Sequence, residues 1–126
     1  MVFDWRLFLR LADDLMGDPK TKECQEAYIR TAISRYYYGV FCIARNLILS
    51  GGIEIQGPDT HKYVREQFLV SRKNIEKTLH DNLRRLCFRR VEADYNDEKS
   101  INFSEAEEAR ILSERTLKIL QKLTPV

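Results

Sequence analysis

The feature that most limits how this chain can fold is the stretch between Asp18-Pro19 and Gly51-Gly52. Over about 30 residues it holds no proline and one internal glycine, Gly39, so nothing in it stops a helix. Asp18 is a good capping residue, Pro19 suits the first helical position, and the glycine pair ends the run. Such a helix spans roughly 45 Å, so the remaining elements must be arranged around it. Its apolar residues lie on more than one face: Tyr28, Ala32, Tyr36, Val40, Ile43 and Leu47 on one side, and Ala27, Tyr38, Phe41 and Ile48 elsewhere. That pattern belongs to a central helix or to one in an interface.

The flanking sequence reads as further helices. Asp4 can cap a first one over Trp5 to Met16, with Phe8, Leu11, Ala12 and Leu15 as its inward stripe and Gly17 as its stop. Gly51 to Asp59 is a loop, after which Asp59 or Thr60 opens a helix through Val70, with a break near Ser71. A fourth helix, Asn74 to Val91, turns Ile75, Leu79, Leu83, Leu86 and Cys87 inward and ends in Arg84, Arg85, Arg89 and Arg90, as the helix dipole favours. The segment ADYNDEKSIN reads as a polar loop. Ser104 and Glu107 form a capping box for a last helix, Glu105 to Leu123, with Ala109, Leu112, Thr116, Ile119, Leu120 and Leu123 inward. With five Gly and three Pro in 126 residues there are too few turn signals for a sandwich or barrel. The expected fold is therefore a single all-α domain over residues 1–126, an antiparallel bundle of four to five helices with one long central helix.

Several classes of function are excluded or weakened. Three widely spaced cysteines, Cys24, Cys42 and Cys87, suggest neither a disulfide framework nor a zinc site, and a reducing cytoplasm is the expected compartment. Charges at Asp4, Arg6, Arg10, Asp13 and Asp14 interrupt any signal-peptide core. The longest uncharged run, Tyr36 to Ala44, is far short of the roughly 20 residues of a membrane helix. No phosphate loop, HExxH or GxSxG occurs, and no metal or cofactor is expected.

The net charge of +2 conceals a bipolar chain. Lys62 to Arg90 carries nine basic and three acidic residues, and Glu92 to Glu108 carries seven acidic and one basic. The basic segment can attract phosphates, or it can serve the acidic segment beside it. Asp94 is placed to hold one of the nearby guanidiniums in a bidentate pair. On the long helix, Arg35 and Cys42 are seven residues apart and share a face with Tyr38 and Gly39. Gly39 costs about 1 kcal/mol against alanine inside a helix, which implies a close approach there by another helix or by a ligand backbone. Read as plain structure, Arg35 snorkels from an apolar helix and the tyrosines are core.

The series ISRYYYGVFCIARNLIL, a Gly-containing loop, THKYVREQF and LRRLCFRRVEADY, followed by an Ala/Glu-rich last helix, resembles the HEPN domain family. It is most similar to small stand-alone members that read R-x-Y-Y-A-x-F-H, then T-H-K, then L-R-x-x-A-D-Y, and the likeness runs from about residue 20 to residue 122. The resemblance implies an all-α homodimer, often the toxin-like partner of a minimal nucleotidyltransferase, with members that cleave RNA without a metal. In active members an Arg and a His on the second long helix form a site duplicated across the dimer. Arg35 matches that Arg, while Cys42 stands where the family has His. RNA cleavage by its own 2′-hydroxyl needs a base and an acid, for which imidazole is suited and a thiol of ordinary pKa near 8.5 is not.

The resulting candidate site is Arg35 with Cys42 as a degenerate catalytic position. Candidate nucleic-acid or nucleotide contacts are Arg35, Tyr37, Tyr38, His61, Lys62, Arg85 and Arg89. His61 falls where the family also carries His and reads as a helix-start residue rather than a replacement base. The expected function is an RNA- or nucleotide-binding homodimer of toxin–antitoxin type with weak or lost catalysis. The alternatives are a non-enzymatic module that docks a nucleotidyltransferase, and a purely structural helical dimer.

Overall fold

A computed structural model describes residues 2–17 and 22–124, which form five α-helices and no strand. They are α1 (Arg6–Gly17), α2 (Gln25–Ser50), α3 (Thr60–Gln67), α4 (Asn74–Tyr95) and α5 (Phe103–Leu123). The expected all-α bundle is the fold, and α2 is its pillar: each of the other four helices packs against it. In its middle turns α2 is buried nearly all round, through Ile29, Ala32, Ile33, Tyr36, Tyr37, Val40, Phe41 and Ala44. Residues 36 and 39 of α2 meet residues 13 and 8–9 of α1, and residue 45 meets Trp5 just before it, so those two helices are antiparallel. Residues 30 and 37 meet 93 and 90 of α4, which makes α2 and α4 antiparallel as well.

The helices depart from the sequence reading in several places. The Asp18-Pro19 start of α2 lies outside the described residues; within them residues 22–24 are a turn and the helix begins at Gln25. Helix α1 buries Leu9 and Ala12, with Leu11 left exposed, so its inward stripe is rotated from the expected one. Helix α4 does not stop at Val91 but takes in the first three residues of the supposed polar loop. Arg30 of α2 explains this extension. Its guanidinium donates to the carbonyls of Glu92 (3.3 Å) and Ala93 (3.0 Å) in the last turn of α4 and to that of Lys99 (2.5 Å) in the loop beyond, so it ties the end of the helix to the following loop. One consequence is that Arg84 and Arg85 lie in mid-helix and the last turn of α4 holds no basic residue, so the dipole does not account for the arginine cluster. Finally, α5 is capped by Asn102, whose side chain accepts from the Glu105 N–H at 3.1 Å, and not by the Ser104 and Glu107 box. Ser104 instead donates to the Asn102 side chain at 2.7 Å.

Elsewhere the turn chemistry acts as read. Asp59 caps α3 by accepting from the Lys62 N–H at 3.0 Å, which holds its carboxyl below the usual range. Helix α3 ends at Gln67, before the expected Val70, and the junction to α4 passes through Arg72 in the left-handed region. Gly39 is where α1 crosses α2. A Cβ there would lie 2.3 Å from Leu9 Cδ1 and 3.3 Å from both Phe8 Cβ and the Trp5 carbonyl oxygen, so the close approach implied by this glycine is by another helix.

Candidate functional site

The motifs on α2, α3 and α4 converge on one cluster. It begins with three consecutive tyrosines, which the helix sends in different directions. Tyr36 is core: its hydroxyl donates to Asp13 Oδ1 at 2.5 Å, and burial together with that carboxylate raises its pKa. Tyr37 is equally buried, 1% exposed, and its hydroxyl meets His61 Nδ1 at 2.5 Å. Burial raises the Tyr37 pKa and lowers that of His61, where Arg90 adds its repulsion, so both partners of this contact are favoured in their neutral forms. The His61 ring also stacks on Phe41, with centroids 4.4 Å apart. Tyr37 is thus a support beneath His61, and its burial corrects the expectation that it contacts nucleic acid directly.

Tyr38 is only half-buried, and two arginines flank it. The guanidinium carbons of Arg35 and Arg90 each lie 5.3 Å from its ring centroid, and Arg35 also lies 4.9 Å from the Phe8 ring. These are cation–π distances. A polar chain links the two arginines. Arg35 donates to Ser34 Oγ at 3.1 Å, Ser34 donates to Asp94 Oδ2 at 3.4 Å, and the same carboxylate oxygen lies 3.7 Å from Arg90 Nη1. The expected bidentate Arg–Asp94 pair is therefore a single long contact. Arg90 is 8% exposed, and its buried Nε has no hydrogen-bond acceptor. A buried guanidinium is stable only when paired and hydrogen-bonded, and this one is incompletely served.

The sequence-derived site residues separate into two groups. Arg35, Tyr38, His61 and the supporting Tyr37 come together. Cys42 shares their helix but is buried, 5% exposed; burial raises its thiol pKa, which Arg45 and Arg35 offset only in part. It is not a thiolate facing a cleft. Lys62 is exposed and pairs with Glu66 across a turn at 3.9 Å. Arg85 and Arg89 lie on the far side of α4, in an open groove with Arg84, Phe88 and the acidic start of α5, where Arg89 pairs with Glu108. The basic segment thus serves its acidic neighbour in part, through Arg89–Glu108 and Arg90–Asp94. Sequence reasoning did not assign Arg90, Ser34 or Phe8 to the site. Only Arg90 left a signal, its i,i+4 spacing to Asp94.

Among the described residues, no group of three or more His, Cys, Asp or Glu is placed to hold a metal ion, and no helix is long and apolar enough to cross a membrane. What the chain presents is an all-α bundle with a half-buried cationic and aromatic cluster between α2, α3 and α4. No protein-family model matches the chain, and no curated protein matches it significantly.

Proposed function

We propose that this chain is a HEPN-like homodimer that binds RNA, or a nucleotide, through a phosphate held at Arg35, and that it does so without cleaving. The observation that carries this reading is Arg35 itself, a partly buried residue whose side chain is fixed by Phe8, Tyr38 and Ser34. An arginine oriented in advance loses little entropy on taking a phosphate. The burial of Cys42 supports the absence of cleavage, since no group of suitable pKa stands where the resemblance implies a proton carrier. The test is binding of a short single-stranded RNA, with affinity falling steeply as salt rises and weakened by Arg35→Ala. In metal-free buffer the wild type should leave RNA intact. Cleavage by the wild type that Arg35→Ala abolishes would overturn the non-cleaving part, and RNA binding absent even at low salt would overturn the whole.

A second reading, a module that docks a nucleotidyltransferase-type protein, is favoured by the solvent face of α4. Phe88, Val91 and Tyr95 recur there at helical spacing, and all three are exposed. Co-purification of such a partner, lost on Phe88→Glu, is its test.

A further inference from the structure

From the Arg35–Ser34–Asp94–Arg90 chain we infer that Arg90 is a second phosphate-binding residue, and that Asp94 closes the seat by occupying the place a phosphate would take. This rests on the proposed reading of Arg35 and extends it to α4. Of the two guanidiniums at the ends of this chain, Arg35 donates to Ser34 Oγ at 3.1 Å, and Arg90 meets the Asp94 carboxylate through a single 3.7 Å contact and Cys87 Sγ at 4.0 Å; the same carboxylate takes the Ser34 hydroxyl at 3.4 Å. Both carboxylate distances are long for charge-assisted bonds. The Nε–H of Arg90 is buried and has no acceptor at all. Such an arrangement is under-supplied with acceptor oxygens. A phosphate offers more of them than a carboxylate and can share them between two forks.

Asp94 is suited to give way. It stands in the last turn of α4, is exposed as a residue, and contributes nothing to the core, so its carboxylate can swing to solvent without disturbing packing. Arg90 cannot do likewise, because its stem is buried and its head lies over Tyr37 and Tyr38. The seat therefore keeps its two cations and exchanges its anion. A phosphodiester within RNA and the terminal phosphate of a mononucleotide share the recognised chemistry.

The experiment uses the intact protein, AMP, and a hydroxyl-terminated RNA hexamer, with binding followed by calorimetry and the arginine Nε–H signals followed by NMR. Addition of whichever ligand binds should shift the Arg90 Nε–H resonance, which burial protects from exchange. Asp94→Asn should tighten binding by at least about threefold, since it removes the competing charge, and Arg90→Met should weaken it by at least about tenfold. Arg115→Ala, on the exposed side of α5, should change nothing. An AMP response without an RNA response assigns the seat to terminal phosphates, and the converse assigns it to the RNA backbone. The inference falls if ligand binds while the Arg90 signal stays unmoved and Asp94→Asn leaves affinity unchanged, an outcome that spares the Arg35 reading. If Arg90→Met does not fold, the wild-type resonance and Asp94→Asn still decide. If wild-type protein binds neither probe at low salt, the Arg35 reading fails and takes this one with it.

Discussion

Replacing Gly39 by alanine tests how α1 is held against the pillar helix. In an isolated helix the change is favourable by about 1 kcal/mol, because alanine loses less backbone entropy than glycine. Here the new methyl would stand 2.3 Å from Leu9 Cδ1, well inside contact distance, and 3.3 Å from Phe8 Cβ and the Trp5 carbonyl oxygen. The leucine tip can rotate, but Leu9 is itself buried, so its movement disturbs the core. The other two atoms belong to or adjoin the α1 backbone and yield only if the helix shifts. Overpacking of this kind costs roughly 1–3 kcal/mol. Set against the propensity gain, the net change is a destabilisation of up to about 2 kcal/mol, or several degrees in Tm for a domain of this size. Urea denaturation with tryptophan emission from Trp5, the chain's one tryptophan, reads the value directly. Gly17→Ala is the control, since a Cβ at that position meets nothing within 4 Å, and it should be neutral or slightly stabilising. If Gly39→Ala stabilised the protein by the full propensity gain, α1 would not cross α2 at this residue and the packing of Phe8 beneath Arg35 would be wrong.

Other perturbations have equally definite outcomes. Tyr37→Phe removes the hydroxyl that meets His61 Nδ1 and should cost about 1–2 kcal/mol in chemical denaturation, because the ring nitrogen loses its partner in a part-buried site. The His61 pKa is lowered by burial and by Arg90, so the unfolded chain binds a proton more readily than the fold does. This contribution to stability is present above the ordinary histidine range and is lost as pH falls through and below it, and His61→Gln should flatten the dependence of Tm on pH between neutral and mildly acidic buffer. Arg30→Met should cost about 2–3 kcal/mol and fray the end of α4, seen as faster amide exchange from Ala93 to Asn96. Alkylation of Cys42 in the folded protein should be orders of magnitude slower than in urea, since its thiol is buried and its pKa raised.

Much of the fold is legible in the sequence because its punctuation is local. Gly51 and Gly52 end α2 where expected, with the Gly51 N–H donating to Leu47 O and Ile48 O at 3.2 Å and Gly52 at a positive φ. Asp59 caps α3 from three residues away. What the sequence conceals is decided across the bundle. Nothing near ADY indicates a helix, because the group that sustains it, Arg30, lies some sixty residues earlier in the chain. The site behaves in the same way. Arg35 stands out as a charge within an apolar helix, but helical spacing alone puts Cys42 beside it and says nothing of depth. The i,i+3 and i,i+4 rules place residues on a face; only the packing of α1, α3 and α4 determines which part of that face reaches water. Arg90 is hidden for a related reason, being one of four similar arginines until the bundle buries one of them.

Because every other helix leans on α2, the amides at its centre can exchange with solvent only when the whole bundle opens, whereas α3 touches α2 and α4 alone and spans only two turns. Helix α3 is then the segment that opens at least cost, and it carries His61. Deuterium uptake along Thr60–Gln67 would therefore report how often the floor of the cationic cluster lifts away, independently of any ligand. A molecule that protects α3 without changing exchange in α1 would mark itself as bound on the α3 side of the bundle, against the helix that carries His61.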